Sequence, residues 1–99
     1  MKITTKSGFE LDIDKEALDD WRVTESIADA ASDDTGEQMR GVANLVKLIF
    51  GKQKKAYYTH VAGKHNGRIP NDIVNEDVLD IFDQIKESND KEAKEVKNS

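Results

Sequence analysis

The sequence contains no cysteine, a single proline and only one tryptophan, two tyrosines and three phenylalanines in 99 residues. Without cysteine, disulfides and thiolate metal sites are excluded, which suits a reducing compartment. The longest apolar cluster, 42–50, is interrupted by Asn44 and Lys47 and is too short to cross a bilayer. No apolar run follows Lys2, so we predict no signal peptide, no membrane contact and a cytoplasmic protein.

Apolar residues are also scarce: they make up 36% of the chain, against 35% charged residues. A chain of this length forms one small domain, and a thin core leaves a stability on the order of 5 kcal/mol. Association with further copies would bury more apolar surface. We therefore predict a single domain that forms homo-oligomers.

The apolar spacing predicts a mainly α-helical fold in which a small N-terminal β-hairpin packs on about four short helices. The hairpin is expected over 2–13, with a two-residue turn that uses Gly8. The predicted domain covers 1–88, and the charged tail 89–99 is expected to be disordered. The predicted helices span 15–31, 36–50, 52–62 and 70–87.

Side-chain spacing also predicts which residues face the core. Trp21 and Ile27 are expected on the inner face of the first helix, and Met39 on that of the second. Asp14 is expected to cap the first helix, and Gly51 to end the second with a positive φ.

A segment without any carboxylate, residues 52–68, divides the charge of the chain; we call it the basic segment. It holds five lysines or arginines, whereas residues 1–51 carry six basic and eleven acidic side chains and residues 69–99 carry four and nine. Lysines neutralise phosphates and tyrosines stack on bases, so one interpretation is a small nucleic-acid-binding regulator. The acidic balance of the whole domain weighs against this alternative.

No arrangement typical of catalysis or of a bound cofactor occurs in the chain. His60 and His65 are five residues apart, whereas two ligands on one helix face need a spacing of four. The carboxylates fall at helix starts and on outer faces, where they favour the helix dipole. Neither a phosphate-binding glycine loop nor a calcium-binding loop is present. We predict a protein that is not an enzyme and binds no metal or cofactor.

Several short motifs occur in a fixed order along residues 2–88. They are Ile3-x-x-Lys6-Ser7-Gly8-Phe9-Glu10, Ile13-Asp14, Leu18-Asp19-Asp20-Trp21, Leu48-Ile49-Phe50-Gly51, Tyr57-Tyr58, Asn66-Gly67-Arg68-Ile69-Pro70 and Ile81-Phe82. In this order they resemble the tail assembly chaperones of long-tailed phages and prophages. The chain departs from that pattern in the basic segment, because such chaperones often carry acidic residues there.

The resemblance implies a small, mostly helical, non-catalytic protein that self-associates in the cytoplasm of a bacterial host. Chaperones of this family coat the tape-measure protein and help to recruit the major tail protein during assembly of the tail tube. The resemblance thus implies two protein partners.

We expect the tape-measure protein to bind as a helix in an apolar groove rimmed by charge. The predicted site consists of Val46, Phe50 and Tyr57 in the groove, with Lys54, Lys55 and Arg68 at its rim. In a different possibility, the basic segment of one copy meets the acidic last helix of the next copy, head to tail.

Overall fold

The computed structural model describes the backbone of residues 1–98 and the side chains of residues 1–89. The fold is mainly α-helical with one two-stranded antiparallel sheet at its N-terminus, as predicted. A short 3₁₀ helix, Gly51–Gln53, joins the third helix to the fourth. The elements are β1 (Lys2–Thr4), β2 (Glu10–Asp12), α1 (Lys15–Leu18), α2 (Trp21–Ala30), α3 (Thr35–Phe50), α4 (Lys54–Lys64) and α5 (Asn71–Asn98).

The hairpin lies where it was predicted, but its turn has three residues instead of two. Ile3 pairs with Leu11 across the two strands, and both side chains are buried. The N–H of Thr5 donates to the carbonyl of Phe9 at 2.8 Å, and the N–H of Gly8 donates to the carbonyl of Thr5 at 2.9 Å. Gly8 has a φ of 93°, so the glycine occupies the left-handed third position of a three-residue loop.

The predicted helix 15–31 is two helices, because Asp20 begins a new one. Asp14 caps α1, as predicted, by accepting from the N–H of Glu16 at 3.0 Å. Asp20 in turn accepts from the N–H of Arg22 at 2.8 Å. The hydrogen bond from the Arg22 side chain, followed by the one from its backbone, lowers the pKa of Asp20 to about 2.

This interruption changes which residues of α2 face the core. Val23 and Ser26 are buried, whereas Trp21 is 72% exposed. The prediction that Trp21 is a core residue is therefore wrong. It assumed one continuous helix through 15–31, and the break at Asp20 resets the direction in which later side chains point.

The third helix has almost the predicted bounds, with Asp34 as its N-cap and Gly51 at its end. The Asp34 carboxylate accepts from the N–H of Gly36 at 2.8 Å, and Gly51 has a positive φ of 49°. The predicted inward position of Met39 is wrong, because its side chain is 61% exposed. The buried face of α3 is turned towards Gly41 and Leu45 instead.

Gly41 explains that rotation, because it lets α2 approach α3 closely. A Cβ atom at this position would lie 2.3 Å from the backbone N of Ala30 and 2.7 Å from the carbonyl oxygen of Ser26. No side chain fits in that space. The two helices therefore pack backbone to backbone at Gly41.

The last two helices differ from the predicted 52–62 and 70–87 at their ends. The 3₁₀ turn delays the start of α4, and α5 continues to Asn98. No glycine or proline follows Pro70, so nothing in the sequence interrupts α5. Of the predicted disordered tail 89–99, the side chains after Asn89 and all of Ser99 lie outside the described residues.

Aromatic side chains form the centre of the core. Tyr57 stacks on Phe50 with ring centroids 4.1 Å apart and planes 12° apart, and Phe9 contacts the Tyr57 ring edge-on at 5.5 Å. Ile81 and Val61 are completely buried beside them. This cluster joins the hairpin to α3, α4 and α5.

Candidate functional site

An apolar groove of about 690 Å³ lies between α2, α3 and α5. Its apolar lining includes Ile27, Met39, Val42, Val78, Leu79 and Phe82, and its polar lining is Gln38, Asn75, Asp83 and Lys86. We call this feature the apolar groove. A groove of this kind, mostly apolar with a few polar groups, is the usual form of a binding site.

Three large apolar side chains of the groove are exposed to solvent. Leu79 is 66% exposed, Met39 61% and Ile27 43%. Scattered exposed apolar residues are normal, but these three line one depression. Their grouping makes this depression the candidate binding surface.

The two walls of the groove are held in place from behind. On one side, α2 is fixed to α3 by the close approach at Gly41. On the other side, three hydrogen bonds hold α5. The Ser7 hydroxyl donates to the Asp77 carboxylate, and the Gln84 amide donates to the Thr4 carbonyl at 2.9 Å. The Lys15 ammonium donates to the Ser88 hydroxyl at 2.9 Å. Positions 77, 84 and 88 share one face of α5, and Leu79 and Lys86 lie on the opposite face of the helix. The hydrogen bonds are therefore made on the side of α5 that faces away from the groove. The groove is therefore formed before any partner arrives, which lowers the entropic cost of binding.

The strongest of these contacts between α5 and the hairpin is made by a buried carboxylate. Asp77, 1% exposed, accepts from the backbone N–H of Ser7 at 2.9 Å, from the Ser7 hydroxyl at 2.6 Å and from the Tyr57 hydroxyl at 2.7 Å. The carbonyl of Ser7 accepts from the Lys64 ammonium at 2.8 Å and lies 3.0 Å from Nε2 of His60. We call these five residues the turn clamp. It ties the hairpin turn to both α4 and α5.

The turn clamp changes the ionisation of Tyr57. Burial of the ring, followed by the hydrogen bond to the Asp77 carboxylate, raises the pKa of Tyr57 far above its ordinary value of 10.0. Both effects disfavour a phenolate in this place. Tyr57 therefore stays a hydrogen-bond donor above the pH at which a tyrosine in water ionises.

From this follows a pH dependence of stability. Above pH 10 the unfolded chain loses the Tyr57 proton and the folded protein keeps it, so the free energy of unfolding should fall by up to about 1.4 kcal/mol per pH unit. Urea unfolding of the wild type and of Tyr57→Phe between pH 8 and 11 measures this. The variant should show a shallower decline, and equal slopes for the two proteins would contradict the prediction.

Much of the basic segment serves the fold itself. The Lys54 ammonium lies 5.6 Å from the centroid of the Tyr58 ring, and His60 and Lys64 contact Ser7. Lys55 and Arg68 remain exposed. The segment therefore has fewer side chains free to contact another molecule than its sequence indicates.

The predicted binding site is not assembled as expected. Val46, Phe50 and Tyr57 are 2%, 1% and 0% exposed, so they belong to the core and cannot line an open groove. Of the predicted rim, Lys55 and Arg68 are exposed, and Lys54 lies over the Tyr58 ring.

The groove that does exist involves residues that the sequence analysis placed in the core or left unassigned. Ile27 and Met39 were predicted to face inward, and no position was predicted for Leu79. One feature of the sequence could have indicated this groove. The helices α2 and α3 carry more apolar residues than the core of so small a domain can bury.

Within the described part of the chain, no three histidine, aspartate or glutamate side chains stand close enough together to hold a metal ion. None of the described helices has the length and apolar character needed to cross a membrane.

No protein-family model matches the chain, and neither a curated protein nor a solved structure is significantly similar to it.

Proposed function

We propose that this protein is a non-catalytic assembly chaperone that holds an amphipathic helix of another protein in the apolar groove. The observation that carries the proposal is the preformed groove with Ile27, Met39 and Leu79 exposed along it. From Asn75 to Lys86 the groove follows α5 for about 16 Å, or three helical turns. That length suits a partner helix with apolar anchors at i, i+3 or i+4, and i+7.

The motif resemblance supplies the identity of the partner in this proposal. The occupant is then the tape-measure protein of a long-tailed phage, and the major tail protein is recruited later, in the cytoplasm of the bacterial host. A long helical protein exposes apolar stripes until the tail tube surrounds it. A groove three turns long would cover one section of such a stripe.

Self-association is part of the same proposal, since one groove covers only a short section. The exposed cations of the basic segment, Lys52, Lys55 and Arg68, would meet the acidic surface of the next copy. A head-to-tail contact of this kind can repeat along a helix without closing.

The buried polar groups support a non-catalytic role. Asp77 and Tyr57 are the kind of residues that catalysis uses, but they are hydrogen-bonded to each other and to Ser7 inside the turn clamp. A substrate would have to displace the hairpin to reach them.

Nucleic-acid binding, the alternative interpretation, has less support. Lys54, His60 and Lys64 are engaged within the fold. A gel-shift assay at low salt separates the two functions, because tight and salt-sensitive DNA binding would favour the regulator.

Replacing Leu79 by aspartate tests the groove directly. We expect at least a tenfold loss of affinity for helical fragments of the tape-measure protein, because the mutation places a charge on the apolar contact surface. The thermal midpoint should change little, since Leu79 is 66% exposed. Isothermal titration calorimetry measures the affinity.

Ala43→Asp is the matched control, because Ala43 is exposed on α3 and does not line the groove. It should bind as the wild type does. Undiminished binding by Leu79→Asp would rule out the groove as the site.

A further inference from the structure

We infer that the helix held in the apolar groove carries lysine or arginine along one flank only, the flank that lies over α5. This inference rests on the proposed function and adds the chemical class of the partner. It follows from a difference in charge between the two walls of the groove.

The wall formed by α5 carries a row of carboxylates. Asp72, Glu76, Asp83 and Glu87 are exposed and follow one another at spacings of four, seven and four residues, which places them on one face of the helix. This face lies next to Leu79 around the helix, and Asp83 itself lines the groove. We call the row the acidic ridge.

Little positive charge offsets the acidic ridge. Lys86 is the only cation on α5 between residues 71 and 89. Lys6 lies 3.5 Å from Glu76, but both side chains are more than half exposed, and an ion pair in solvent contributes little. The ridge therefore remains able to attract a basic partner.

The wall formed by α2 offers no charge along its outer edge. Thr24 and Ala28 are exposed four residues apart, and Trp21 precedes Thr24 by one turn. A helix lying between the two walls meets carboxylates on one flank and small or aromatic side chains on the other. The complementary occupant has an apolar stripe, basic residues on the first flank and uncharged residues on the second.

This asymmetry also selects a direction of binding. Reversing a helix within the groove moves its basic flank from the acidic ridge to the uncharged wall. A partner with lysines on one flank therefore binds in one of the two possible directions. Copies of the chaperone along one partner helix would then all have the same polarity.

Three designed helical peptides test the inference. They share one apolar stripe and carry Lys, Gln or Glu at the positions of a single flank. Several exposed ion pairs together should make the Lys peptide bind roughly tenfold more tightly than the Gln peptide at low salt. The Glu peptide can turn its charged flank to the uncharged wall, so it should bind no more tightly than the Gln peptide. A salt concentration of 0.5 M should remove most of the preference for the Lys peptide.

Two protein variants separate the acidic ridge from the net charge of the chain. Neutralising the ridge with Asp72→Asn, Glu76→Gln, Asp83→Asn and Glu87→Gln should abolish the preference for the Lys peptide over the Gln peptide. The control neutralises four exposed glutamates that do not line the groove, Glu10, Glu16, Glu25 and Glu37, each to glutamine. This control variant should keep the preference for the Lys peptide.

Each other outcome overturns the inference in a recognisable way. Equal binding of the three peptides would reject the basic flank and leave the proposed function standing. Equal loss of preference in both variants would mean that only net charge matters. Failure of the peptides and of the tape-measure fragments alike would reject the proposed function as well. A dimer in sedimentation that Leu79→Asp dissociates would assign the groove to a second copy.

The direction of binding has its own measurement. Two peptides with lysines on opposite flanks each carry a nitroxide at the N-terminus. Paramagnetic broadening should appear near Asn75 for one peptide and near Lys86 for the other. Broadening at the same end for both peptides would overturn the directional part of the inference.

Discussion

Replacing Gly41 by alanine should lower the free energy of unfolding by about 3 kcal/mol, which is most of the stability of so small a domain. The new Cβ would lie 2.3 Å from the backbone N of Ala30, so α2 and α3 would have to move apart. Backbone atoms cannot rotate away as a side chain can. The gain of about 1 kcal/mol that alanine usually brings to a helix is too small to offset this. Urea unfolding followed by circular dichroism measures the change.

Gly63→Ala is the matched control for this prediction. Gly63 is also helical, but a Cβ there would meet nothing within 4 Å. This variant should be more stable than the wild type by about 0.5 kcal/mol. If Gly41→Ala is as stable as the wild type, the close packing of α2 on α3 does not exist in solution.

Replacing Asp77 by alanine should lower the free energy of unfolding by about 4 kcal/mol, because one buried and two partly buried donors lose the carboxylate that accepts from them. These donors are the N–H and the hydroxyl of Ser7 and the hydroxyl of Tyr57. The mutation also releases α5 from the hairpin turn, so the variant should lose binding in the apolar groove wherever it remains folded. Equilibrium unfolding at pH 7 gives the stability, and peptide titration gives the binding.

Tyr57→Phe provides the graded comparison. It removes one donor and keeps the ring that stacks on Phe50, so it should cost only about 1 kcal/mol. Combined with Asp77→Ala it should add almost nothing further, because the two residues act in one network. A cost below 1 kcal/mol for Asp77→Ala would show that water replaces the carboxylate and that the turn clamp is weak.

Much of the secondary structure could be predicted from the sequence, because its causes are local. Asp14 and Asp34 cap helices through their own side chains, and Gly51 supplies a positive φ where α3 ends. The period of the apolar residues was enough to separate hairpin from helix. The errors in this part are the helix break at Asp20, which was not predicted, and the turn at Gly8, which has three residues instead of two.

The faces of the helices could not be predicted in the same way. Met39 and Ile27 fit an inward stripe as well as their buried neighbours do, and nothing local distinguishes them. Gly41 decides the matter by letting α2 lie directly on the backbone of α3, which turns Met39 outward. The location of the binding groove depends on this contact between distant residues.

The basic segment shows most clearly the difference between features with local causes and features that depend on tertiary contacts. An acidic, cysteine-free and mainly helical chain with one carboxylate-free segment in its middle can be predicted from the sequence alone. The folded chain is needed to bring His60 and Lys64 to Ser7 across more than fifty residues and to place Val46, Phe50 and Tyr57 in the core. The physical reason is that capping and periodicity depend on neighbours along the chain, whereas burial and pairing depend on which surfaces meet when the chain folds.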